Sequence, residues 1–152
     1  WRLWTAHWVH VGWIHYLLNM LAFACLPFIF PHVRVWKFAA LLLLLPVCIS
    51  LSFYYGFPDI EAYAGLSGVL HGAYVAVALV HLSYAHERKF AAGVLGLIVL
   101  KLIWENTLGN TGTAELIGSP VLVEAHLLGA IWGMLLAAVY FPFHLRLLKP
   151  NS

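Results

Sequence analysis

Gly65-Leu66-Ser67-Gly68-Val69-Leu70-His71-Gly72 is the stretch on which the reading of this chain turns. A hydroxyl sits there between two glycines, at the head of an apolar run. Reactive or ionisable groups inside such a run are costly, so function is the first explanation to test for them. Two other apolar runs carry matching polar groups: His15 and Asn19 in one, His126 in another.

The surroundings are those of a membrane protein. Of the 152 residues, 63% are hydrophobic and 9% charged, with a mean hydropathy of +0.89. A soluble domain carries about 25% charge. So little polar surface does not cover a water-facing globule, and the expected solvent is the lipid bilayer. Seven Trp and seven Tyr suit anchoring at its interfaces. A net charge of +2 makes no case for nucleic acid. Cys25 and Cys48 lie in apolar runs and read as small hydrophobes, neither a disulfide nor a metal pair.

A spanning helix takes roughly 20 apolar residues. Five segments qualify, at about 8–30, 36–55, 65–84, 90–104 and 120–143. With no repeat or linker between them, they predict an all-α bundle of five transmembrane helices forming a single domain over 1–152. Arg34, Lys37, Arg88, Lys89, Arg146 and Lys149 fall on one side of these spans, six of the eight basic residues. Asp59, Glu61, Glu105 and Glu115 fall on the other. The positive-inside rule makes the basic side cytoplasmic, so residue 1 is expected outside. Trp1-Arg2-Leu3-Trp4 lacks the basic-then-apolar pattern of a signal peptide. An upstream segment with at least one further span is therefore expected. Pro31 and Pro58 mark helix ends, and Ser119-Pro120 reads as the N-cap and first-turn proline of the last helix.

Spacing brings the polar groups together. Gly68, Gly72 and Ala76 form one smooth stripe, and Gly129, Gly133 and Ala137 form another below His126. Small-residue stripes let helices approach closely in lipid, and by themselves they mean nothing more. With Ser67 and His126 at their heads, however, packing the two stripes sets a hydroxyl beside an imidazole. A serine needs such a base to become a nucleophile. His71, one turn after Ser67, is a rival base or a packing histidine. His15 and Asn19, four apart on one helix face, supply hydrogen-bond donors for an oxyanion or simply glue helices together. Amides near a helix N-terminus at Ser67 add further donors. His7 and His10 read as interfacial, Lys101 and Glu105 as a snorkelling surface pair. Glu124 points away from His126.

Taken in order, Trp1-Arg2, His15-x3-Asn19, Gly65-Leu66-Ser67-Gly68 and Ala125-His126-x2-Gly129 resemble the rhomboid family of intramembrane serine proteases over nearly the whole chain. The extended GLSGVLHG string is most similar to its rhombosortase branch. The resemblance implies a hydrolase with Ser67 as nucleophile and His126 as base, a dyad without an aspartate. It implies His15 and Asn19 as oxyanion donors and assigns no cofactor or metal. It also implies a multi-pass protein of the bacterial inner membrane whose site opens to the extracytoplasmic side. The implied substrates are transmembrane proteins, cut near a Gly-Gly motif that precedes a C-terminal anchor helix and basic tail. A general rhomboid protease and an inactive, helix-binding relative are the alternatives within the family. A histidine-rich haem or metal protein and a transporter are those outside it.

Overall fold

The computed structural model describes residues 1–60, 62–109 and 111–148; Glu61 and Lys149, used in the charge pattern above, lie outside them. The described chain is helical, with α1 (Arg2–Thr5), a 3-10 turn (Ala6–Trp8), α2 (Trp13–Ile29), α3 (Val35–Gly56), α4 (Ser67–His81), α5 (Arg88–Thr107), α6 (Thr111–Ile117) and α7 (Val123–Leu148). Among the described residues, three helices are long and apolar enough to cross a membrane: Val35–Gly56, Arg88–Thr107 and Val123–Pro142.

The predicted segments hold helices, but two boundaries move. The first does not run unbroken from residue 8. Residues Arg2–Trp8 fold separately, and the chain bends 95° before Trp13–Ile29. Val9 is extended and Gly12 too, so the helix restarts only where Trp13 begins an apolar run. The last helix begins at Val123, not at Pro120. Gly118, at φ +72°, ends α6. Residues 119–122 then run without helix, which leaves His126 within the first turns of α7.

α4 is the centre of the bundle, with ten of its fifteen residues buried. At 1.5 Å per residue it is about 22 Å long, shorter than the roughly 30 Å of a bilayer core. It is lined by Val69, Ala73, Val77 and Ala78, which face Leu26, Leu45, Ile49 and Ala125 across the core. The outward faces stay apolar: Leu17, Leu21 and Phe28 on α2, Leu43 and Leu44 on α3, and Leu97, Leu100, Ile103 and Trp104 on α5 are exposed. Such a contiguous apolar exterior suits lipid rather than water. Single polar bonds tie helices together. Tyr74 donates to the Ala22 carbonyl, at 2.8 Å, and Trp132 to the Ser52 hydroxyl, at 2.8 Å.

The most extensive contact is between α4 and α7. It runs along the two small-residue stripes. A β-carbon on Gly68 would lie 2.7 Å from the Ala125 carbonyl oxygen, and one on Gly72 2.6 Å from that of Gly129. On Gly129 and Gly133 it would fall closer still, onto the carbonyl oxygens of Gly68 and Gly72. Backbone meets backbone here, so neither side can give way. Gly93 on α5 has no atom within 4 Å of such a β-carbon. Gly129→Ala should therefore destabilise the protein by at least ~1–3 kcal/mol, the usual cost of overpacking. Gly93→Ala should be neutral or stabilising, since alanine favours helix by up to about 1 kcal/mol. Thermal unfolding in detergent checks both.

Candidate active site

The chain reaches Ser67 through a constrained loop. α3 ends at Gly56 with Phe57 as its cap, and Pro58 follows, which cannot continue the helix. Gly65 has φ +133°, a conformation L-residues rarely adopt. A β-carbon there would also sit 2.8 Å from His15 Cε1. Its N–H donates to the Ala6 carbonyl at 3.3 Å, and its carbonyl accepts from the Tyr63 hydroxyl at 2.6 Å. Burial pushes the Tyr63 phenol well above its usual range, so it stays a neutral donor. Helix α4 then begins at Ser67, whose first-turn amides have no helical partner.

The segment that braces this loop carries a residue that sequence reading misplaced. His7, read as interfacial, is fully buried, and its Nε2 lies 2.9 Å from Ser50 Oγ on α3. Its ring packs 4.8 Å from that of Tyr63. The bend before Trp13 folds His7 inward; nothing in its local spacing reveals that.

Ser67 Oγ lies 2.9 Å from His126 Nε2. The other ring nitrogen, Nδ1, is 2.8 Å from Glu105 Oε2. The second carboxylate oxygen pairs with Lys101 Nζ. Glu105 was expected at the surface with Lys101; instead it is 5% exposed and turned towards His126, which is 3% exposed. The i, i+4 pairing with Lys101 is real, but the carboxylate has a second partner that the sequence places 21 residues away. An ionised carboxylate only accepts hydrogen bonds, so a neutral His126 ring facing it carries its proton on Nδ1, which leaves Nε2 to accept from the Ser67 hydroxyl.

His71 takes a different place. Its Nδ1 bonds to the Ser67 carbonyl at 2.7 Å, not to the hydroxyl. Its ring stacks on His126 with centroids 4.2 Å apart and planes 17° from parallel. His71, Glu105 and His126 bring possible ligand atoms within 4.8 Å of one another. Stacked rings, though, send their in-plane lone pairs side by side instead of converging, and both His126 nitrogens already have partners. The cluster suits hydrogen bonding better than metal coordination.

His15 and Ser67 line one cavity of about 340 Å³, with Tyr63, Ala64 and the 119–122 segment. Asn19 lies one turn deeper, 5% exposed. Its amide donates to the His15 carbonyl at 3.1 Å and it does not line that cavity. The arrangement thus joins a hydroxyl, an imidazole within hydrogen-bond distance of it, the amides of a helix start and a histidine lining a small cavity. Those are the components of acyl transfer to serine.

A family model described as Rhomboid domain matches residues 1–143. No curated protein and no solved structure matches the chain. Gly65→Ala should strain the loop through its φ and push against His15, lowering stability by about 1–3 kcal/mol. The thermal midpoint measures that shift, and a midpoint within a degree of the parent would contradict the loop's role.

Proposed function

The chain belongs to the rhomboid family, and on that premise we propose that it is an intramembrane serine endopeptidase working through Ser67 and His126. The observation that carries this reading is the 2.9 Å contact between Ser67 Oγ and His126 Nε2. In the proposed reaction His126 takes the hydroxyl proton as Ser67 Oγ attacks a peptide carbonyl. The tetrahedral oxyanion is met by the amides at the start of α4 and by His15. Asn19 joins them if its amide turns from the His15 carbonyl to the cavity. His126 then hands its proton to the leaving amine, and water or another nucleophile releases the acyl group.

We place five spans in the bilayer, α2, α3, α4, α5 and α7, with the basic ends cytoplasmic and the cavity opening to the extracytoplasmic side of a bacterial inner membrane. Because α4 is shorter than the bilayer core, Ser67 at its head is recessed. Its substrates are transmembrane helices that unwind to present a carbonyl. Glycine weakens helices, so a Gly-Gly pair ahead of a C-terminal anchor and basic tail, as in rhombosortase substrates, is the proposed cleavage region. His71-Gly72 after the serine motif supports that branch.

A fluorophosphonate probe tests the reading. The wild-type protein in membranes should be labelled and Ser67→Ala should not. His126→Ala should slow labelling by about 10³-fold or more, by analogy with the loss of a triad base, whereas His71→Ala should retain most of the rate. A reporter with a Gly-Gly motif, apolar helix and basic tail should be cut only by proteins that label. Equal labelling of Ser67→Ala would overturn the proposal.

A further inference from the structure

We propose that Glu105, braced by Lys101, is a positioning residue for His126, so that Ser67 is served by a triad rather than a dyad. The inference rests on the serine-protease reading above and adds to it a carboxylate that the family resemblance does not supply. Glu105 Oε2 lies 2.8 Å from His126 Nδ1, and both side chains are 4% exposed. Lys101 Nζ takes the other carboxylate oxygen, and its own side chain is 45% exposed.

Among the described residues, groups from three helices face His126. α4 supplies Ser67 on Nε2 and the stacked His71. α5 supplies Glu105 on Nδ1, with Lys101 behind it. α2 supplies His15, which lines the cavity beside Ser67 and is near enough to His126 for the two rings to interact electrostatically. Glu105 is the one anionic group among these. Its work is twofold. It fixes the tautomer with the proton on Nδ1, leaving the Nε2 lone pair for the Ser67 proton. It also offsets the positive charge of the imidazolium that forms when that proton moves from Oγ to Nε2 as the Oγ–carbon bond is made. The Glu105 carboxylate stays ionised throughout, and the proton returns from Nε2 to the leaving amine. Lys101 keeps the carboxylate paired within the bundle, where an isolated charge is costly, and occupies the oxygen that would otherwise turn from the ring.

An alternative is that the Lys101–Glu105–His126 chain only tethers α5 to α7. α5 has few buried residues, Ala91, Leu102 and Glu105 among them, so a tether has a use. The two roles part on kinetics. Fluorophosphonate labelling of the full chain in membranes should show kinact for Glu105→Gln lowered by about 10⁴-fold, the size of loss seen when a triad carboxylate is replaced. A glutamine amide facing Nδ1 shifts the proton to Nε2, away from the acceptor role. KI should stay within about twofold, and Glu105→Asp should recover at least tenfold of the loss. If Glu105→Gln does not fold, Lys101→Gln/Glu105→Gln, which removes both charges together, is read the same way. Full kinact in the folded Gln or double variant would overturn the triad. So would a Glu105→Asp rate no better than Gln. Absent labelling of the wild type, or labelling that survives Ser67→Ala, would instead sink the underlying protease reading.

Discussion

A serine side chain reaches little more than one bond beyond its β-carbon. Its oxygen can therefore meet an imidazole on another helix only where the two helices pack close together. In this protein that closeness comes from glycine set against glycine. Gly68 and Gly72 on α4 lie under the carbonyls of Ala125 and Gly129 on α7, while Gly129 and Gly133 lie under those of Gly68 and Gly72. Ala76 and Ala137, both buried, extend the stripes. Lipid gives helices no hydrophobic reason to associate, so close backbone packing of this kind is a main source of cohesion. The same contact that holds the bundle together sets the 2.9 Å separation of Ser67 and His126.

Around that contact the usual arrangement of a soluble protein is reversed. The exterior is apolar, and the interior holds a connected polar chain from Lys101 through Glu105 and His126 to Ser67. Each buried member has a partner, which is what makes such a chain tolerable in a low-dielectric interior. A second polar pair, His7 with Ser50, anchors the first segment on α3. The Ala6 carbonyl of that segment reaches the Gly65 amide. The loop that presents Ser67 is thus held from the 3-10 turn and by Tyr63.

Local spacing carried the part of this that is local. Gly65-Leu66-Ser67-Gly68 announces a helix start that carries a hydroxyl, and the stripes from Gly68 and Gly129 are visible as four-residue repeats. His126 follows because it heads one of those stripes. Glu105 was misread because Lys101-x3-Glu105 is a common surface pairing, and its second partner depends on how α5 leans on α7. His7 was misread for the same kind of reason: a 95° bend between two helices is a tertiary event that places a polar residue inside. Ser119-Pro120 has the composition of a helix start, but residues 119–122 instead line the cavity, so the tertiary demand for a wall outweighed the local capping signal.

The structure of the protein carrying a covalently bound fluorophosphonate, solved in a lipid medium, tests the central claim most directly. The account predicts phosphorus bonded to Ser67 Oγ, with His126 Nε2 within hydrogen-bond reach of the adduct and the glycine faces of α4 and α7 still in contact. An adduct on any other residue, or a His126 ring turned away on a separated α7, would contradict it.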